Sequence, residues 1–202
     1  MRIILIRHGM TEGNKKKRYI GITDEPLCDE GISFFRGKKY PWVQKVYTSH
    51  LLRTIQTAEQ IYPGIKRETI RDLGESDFGE FENKSYLELS DDPNYQKWIE
   101  SGGQAPFPGG ESIEAVRGRV ISGFCKAVSK ASEEGYCVIA FVVHGGTIMH
   151  IMSAFAQERK AFYEWHVDNG CGYSMDAIFA DETSDESSRH IRALCNIENI
   201  CL

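Results

Sequence analysis

The chain has 202 residues, a length that suits one domain with a substantial core better than two independent ones. With 24 basic against 29 acidic side chains, and so a formal charge of -5, it lacks the global positive field of nucleic-acid binders, and any basic surface must be local. Its six cysteines form no CxxC pair, no secretory apolar segment precedes the first charged residues, and the longest apolar run (138–143) is too short to span a bilayer, so the expected setting is the cytoplasm, with neither membrane nor nucleic acid as partner.

Residues 2–7, Arg-Ile-Ile-Leu-Ile-Arg, form a nearly continuous aliphatic run rich in β-branched residues, the pattern of a strand covered on both faces, and His8-Gly9 ends it. Further strands are expected over 45–47, 65–70 and 136–143, and helices over 51–61, 111–132 and 147–155. In the second helix Ile113, Val116, Val120, Phe124, Ala127 and Val128 recur at roughly helical spacing. Between 83 and 110 the periodicity weakens and Asp91-Asp92-Pro93 and the Gly/Pro-rich 102–110 punctuate it. That excursion reads equally as a lid-like substrate wall and as a surface loop with one short helix. Segments 172–180 and 190–197 are predicted to form an antiparallel hairpin around the acidic turn 181–188; its edge strand could pair subunits, which leaves monomer and homodimer open. Alternating strands and helices give the α/β class in a single domain spanning 1–202.

Two of these strands run into a histidine followed by glycine: Arg7-His8-Gly9 and Val143-His144-Gly145-Gly146-Thr147. Open α/β sheets present ligands outside the carboxyl ends of their strands. After the first histidine, Gly9, Thr11, Gly13 and Asn14 supply permissive backbone and small polar donors. After the second, Gly145 lets the backbone approach a ligand, and the following helix N-terminus offers N–H groups to a dianion. A third element, Tyr47 to Ala58, passes from a short strand into a helix with Arg53 in its early turns. An isolated arginine there would usually be solvated or ion-paired, so its weight comes from the combination.

Taken together, Arg7-His8-Gly9 with Thr11 and Asn14, Ser49-x-x-x-Arg53-Thr54-x-Gln56-Thr57-Ala58, and Val143-His144-Gly145-Gly146 resemble the histidine phosphatase, or phosphoglycerate mutase-like, superfamily over nearly the whole chain. The resemblance implies a three-layer α/β/α sandwich with a mostly parallel central sheet and a phosphate pocket at its carboxyl edge. It implies His8 as the nucleophile that carries phosphate, Arg7 and Arg53 as bidentate clamps, and His144 as a third donor, three donors for three non-bridging oxygens. It also implies a proton-transferring glutamate in segment 73–82, where Glu75 is the matching residue and Asp77, Glu80 and Glu82 are surface charges. The family often has glycine where Asn83 stands. Neither metal nor cofactor is expected, since His144 and His150 lack the i, i+4 spacing of a helical zinc pair. His50, His166 and His190 are assigned to packing or surface.

On substrate, Lys15-Lys16-Lys17-Arg18 can steer anions toward the pocket but names none. Arg18-Tyr19-Ile20-Gly21-x-x-Asp24-x-Pro26-Leu27 and Trp165-His166-Val167-Asp168-Asn169-Gly170-Cys171 resemble the subgroup that contains alpha-ribazole phosphatase, with Asn169 where glutamine is expected. The substrate-binding set so implied is Thr11, Asn14, Gly21 and Gly145, and the expected partner is a small phosphorylated metabolite. A cofactor-dependent phosphoglycerate mutase ranks second, disfavoured by Met10-Thr11 where mutases carry an acidic residue and serine. A non-catalytic phosphate-binding module ranks last, because all five catalytic positions are intact.

Overall fold

A computed structural model describes residues 1–180 and 190–200. In chain order its elements are β1 (Arg2–Arg7), α1 (Glu12–Lys15), α2 (Asp29–Ser33), β2 (Lys45–Thr48), α3 (Leu52–Ile61), β3 (Arg67–Thr69), α4 (Pro93–Glu100), α5 (Ile113–Glu133), β4 (Val138–Val143), α6 (Gly145–Phe155), β5 (Gly172–Phe179) and β6 (Ile191–Ile200), with short 3-10 turns between some of them. The six strands form one sheet of order β3-β2-β4-β1-β5-β6. The first four strands run parallel, and β5 and β6 complete the sheet antiparallel.

The aliphatic run of β1 explains the layering. Successive strand side chains point to opposite faces, so a strand apolar at every position needs cover on both. Ile3 and Leu5 join Ile139, Phe141 and Val143 on one face, beneath Val116, Val120 and Phe124 of α5 and Ile148, Ile151 and Met152 of α6. Ile4 and Ile6 join Val46, Ala140 and Val142 on the other, beneath Ala58 of α3 and the adjoining Tyr62. The result is the expected α/β/α sandwich. Each fully enclosed Ile or Leu contributes on the order of 1.5–3 kcal/mol, so β1 is anchored from both sides before its last residue reaches the carboxyl edge.

Register sets the site. Arg7 pairs with Val143 across the parallel β1–β4 ladder, and the His8 N–H donates to the Val143 carbonyl at 2.9 Å, so the residues that follow the two strands emerge side by side.

Several expectations need adjustment. β3 spans three residues, not 65–70, because Ile70 leaves the sheet for a 3-10 turn at Arg71–Leu73 that leads toward Glu75. Both glycines after His144 belong to α6. α1 and α2 are too short for periodicity to register; α1 is fixed by a capping box between Thr11 and Asn14. β6 continues to Ile200, beyond the expected end at 197. β5 and β6 pair antiparallel as expected, while the acidic turn 181–188 lies outside the described residues. Within 83–110, Asp92 caps α4, whose Tyr95 packs with Phe81, Leu89 and Phe107 in an aromatic cluster beside the sheet. No helix among the described residues is long and apolar enough to cross a membrane.

Candidate active site

His8 is buried one residue past β1. Its Nδ1 lies 2.7 Å from the Gly9 carbonyl. A carbonyl only accepts, so the proton of the neutral ring sits on Nδ1 and the lone pair is left on Nε2. Neutrality is enforced: burial holds the ring well below the ordinary imidazole range, and the charges of Arg53 and then Arg7 act in the same direction. The His144 ring stands edge-on to it with centroids 5.2 Å apart, and is held neutral by burial first and then by Arg53, His8 and Arg7.

The two arginines are present but not posed as simple forks. Arg53 is fully buried and its terminal nitrogens are committed to main chain: Nη1 donates to Thr23 O at 2.8 Å and Nη2 to Gly21 O at 2.8 Å. Arg7 Nη1 donates to Val167 O at 2.8 Å and lies 3.1 Å from His166 Nε2. Burial lowers the Arg7 pKa, opposed by Glu75 and Asp168. Each also carries an Nε that is buried without a protein partner, as is Nδ1 of His144. Buried polar atoms are almost always hydrogen-bonded. Three orphaned nitrogens, two from guanidinium groups whose charges both act on both imidazoles and one from His144 itself, mark a place built to receive acceptors. The expected bidentate grip by the Arg53 fork is thereby corrected, since its ends hold loop 20–23 in place.

The flanking motif residues build this geometry. Ser49 Oγ lies 2.7 Å from His144 Nε2 and accepts from Leu51 N–H at 3.2 Å, while the Thr54 hydroxyl donates to Leu51 O at 2.8 Å. Ser49 Oγ also lies 3.0 Å from Thr54 Oγ1, so its hydroxyl ties the His144 ring at Nε2 to α3 and leaves Nδ1 without a protein partner. Thr57 Oγ1 accepts from Gly9 N–H at 2.8 Å and Gln56 Oε1 from Leu27 N–H at 2.8 Å, so α3 carries Arg53 and also pins the loops after β1.

Of the four residues assigned to substrate binding, Gly145 opens α6 with its backbone near Arg7 Nε. Thr11 and Asn14 reach the same edge but spend their oxygens on capping each other's main chain. Gly21 is a correction: its N–H donates to Glu82 Oε1 at 2.9 Å and its carbonyl accepts from Arg53, so it positions Arg53 and offers no free N–H to a ligand. Glycine is required there because a Cβ would sit 1.9 Å from Ser76 O. Glu82, read from sequence as a surface charge, also accepts from Thr23 N–H at 2.9 Å and thus braces the loop that Arg53 grips. Asn83 has φ 62°, the left-handed conformation that asparagine tolerates better than other side chains, which explains how it replaces glycine.

Glu75 sits at the N-terminus of α6, where its carboxylate accepts from Gly146 N–H at 3.2 Å and Ser76 N–H at 2.9 Å. It shares a cavity of about 200 Å³ with Arg7, and Tyr19, Phe78, Trp98, Phe107 and Phe162 wall that cavity. His166, assigned from sequence to packing or surface, lines it too and contacts Arg7. His150 lines it as well. Asn169 was legible only as a departure from glutamine. Its Nδ2 donates to His8 O at 3.0 Å and Asn14 Oδ1 at 3.1 Å, tying β5's approach to the loop after β1.

Fold and site together define an α/β phosphoryl-handling enzyme, and the chain belongs to the histidine phosphatase superfamily (branch 1), whose profile matches residues 3–178; it is a phosphatase. The adenosylcobalamin/alpha-ribazole phosphatase of Salmonella typhimurium is 26% identical over 186 residues, covering 87% of this chain and 90% of that protein. The 2,3-bisphosphoglycerate-dependent phosphoglycerate mutase of Rhizobium etli is 32% identical over 160 residues, covering 72% and 76%. In structure, the alpha-ribazole phosphatase of Shigella flexneri superposes with a TM-score of 0.75 at 24% identity over 96% of each chain, a likeness of fold.

Proposed function

We propose that the chain hydrolyses a small phosphomonoester through a phosphohistidine on His8, with alpha-ribazole 5'-phosphate the first candidate substrate and the cytoplasm its setting. The observation that carries this reading is the set of orphaned nitrogens, Arg7 Nε, Arg53 Nε and His144 Nδ1, on residues that act on an imidazole whose Nε2 holds a lone pair. In the first half-reaction Nε2 forms a bond to phosphorus as the ester P–O bond breaks. The three donors stabilise charge on the equatorial oxygens, and Glu75 gives its proton to the leaving alkoxide. In the second, Glu75 takes a proton from water as the new P–O bond forms and the N–P bond breaks. None of these steps calls on a metal, and turnover is expected to survive chelator.

The cavity supports the choice of substrate. Its wall is aromatic, and among the described residues Arg7 is the one arginine or lysine lining it, already assigned to phosphate. An apolar planar moiety on the leaving alcohol fits such a wall, whereas phosphoglycerate and phosphoserine would bring a carboxylate with no second cation to meet it. Release of inorganic phosphate from alpha-ribazole 5'-phosphate, 3-phosphoglycerate and phosphoserine tests this directly, and the first should have a kcat/KM at least tenfold above the others. Isomerisation of 3-phosphoglycerate that depends on a bisphosphoglycerate primer would establish the mutase instead. Phosphate binding without release from any ester would establish the non-catalytic module.

A further inference from the structure

We infer that Arg119, locked to Glu111, is the positioning residue for the proton-transferring glutamate, holding segment 72–77 so that the Glu75 carboxyl faces the ester oxygen. The inference rests on the role proposed for Glu75. Arg119 lies on α5, in a different layer from the catalytic loops, and every donor of its guanidinium is spent on this one task. Nη1 donates to Asp72 O at 3.0 Å and Gly74 O at 2.8 Å. Nη2 donates to Glu75 O at 2.9 Å and Glu111 Oε2 at 2.7 Å, and Nε donates to Glu111 Oε1 at 2.7 Å.

Glu111 closes the bracket from the far side. Its Oε2 also accepts from Asp77 N–H at 3.0 Å, and its own N–H donates to Asp77 O at 3.0 Å. Main chain on both sides of Glu75 is therefore fixed to one bidentate ion pair, in a stretch that leaves its 3-10 turn at Leu73 and has no ladder of its own. The Glu75 carboxylate meets the α6 terminus at Gly146, where a Cβ would lie 2.4 Å from Oε1, so the clearance is small and the loop must be held accurately. A planar fork can serve three carbonyls and a carboxylate together; an ammonium cannot. Misplacing a reacting group by about 1 Å costs on the order of 10²-fold in rate.

The test compares kcat/KM, which reports formation of the phosphohistidine, for an alkyl phosphate and for dinitrophenyl phosphate, whose phenolate leaves without a proton. In Glu75→Gln the alkyl ester should lose about 10²–10⁴-fold, with a far smaller loss on the aryl ester. Arg119→Lys and Glu111→Gln should each lose at least about tenfold on the alkyl ester and several-fold less on the aryl one. Adding either clamp substitution to Glu75→Gln should cost little more, since both act through one group. Glu111→Gln keeps the three carbonyl bonds of Arg119 and carries the test if Arg119→Lys does not fold. Equal losses on both esters in the clamp variants, alongside the expected bias in Glu75→Gln, would overturn the positioning role alone. Absence of bias in Glu75→Gln itself would overturn the role of Glu75 and this inference with it.

Discussion

His144 has two ring nitrogens and the protein spends only one of them, on Ser49. Ser49 opens a family motif, yet nothing in the sequence shows that its hydroxyl meets the His144 ring and ties it to Thr54 of α3. In Ser49→Ala the buried Nε2 loses its partner, at a cost of about 1–3 kcal/mol, and the ring is no longer held in place. We expect inhibition by inorganic phosphate to weaken about tenfold, the equivalent of losing one good hydrogen bond to an anion, and kcat/KM to fall with it; an unchanged inhibition constant would contradict the positioning of His144 by Ser49. His8, Arg7, Arg53 and His144 were legible because each lies in a short motif at a strand or helix end. Gly21, Glu82, His166 and Asn169 were misread or only half read, because a main-chain contact such as Arg53 to Gly21 O leaves no trace in residue type.

Among elements, the plainest pattern was that β1 and β4 both read as buried strands and both end in histidine and glycine, whereas their pairing side by side came from the structure. The Arg119–Glu111 clamp was not legible: a charged pair on the polar side of an amphipathic helix looks like solvated surface until the loop beneath it is seen. Lys45 is a similar case at the opposite end of the sheet. Placed at the start of β2, its side chain is fully buried, with Nζ 2.9 Å from Glu68 and 2.9 Å from Glu134, and both carboxylates remain partly exposed. Removing the two acids strands a buried ammonium, whereas removing the lysine leaves acids that water can reach. We therefore predict that the double variant Glu68→Gln, Glu134→Gln loses about 3–5 kcal/mol and Lys45→Met clearly less. Urea unfolding measures both; the reverse order would show that the network does not work as a compensated buried cation.

At the scale of the whole molecule, the same burial that keeps the site imidazoles neutral makes stability depend on pH. His8 and His144 are held well below the ordinary range, and His150, buried against Phe162, is pushed down to about 4. In the unfolded chain these rings titrate near ~6.5. As pH drops below that value the unfolded state takes up protons the native state refuses, so stability is full above about 6.5 and falls as pH descends toward about 4. Urea midpoints at several pH values should decline through that window, with a shallower decline in His150→Gln; a flat profile would contradict the burial of charge-averse histidines. The α/β class and the antiparallel edge follow from periodicity and motif, whereas the strand order that joins the two histidines does not. The aromatic wall did not, because Tyr19, Phe78, Trp98, Phe107 and Phe162 come from separate segments and meet only through tertiary packing.

The central claim is that Nε2 of His8 carries the phosphoryl group between its two owners. Rapid mixing with a labelled phosphomonoester, an alkaline quench that preserves phosphohistidine, and peptide mapping measure it directly. The label should appear on His8 during turnover, bound at Nε2, and vanish in His8→Ala. Turnover with label on another residue, or full activity in His8→Ala, would contradict it.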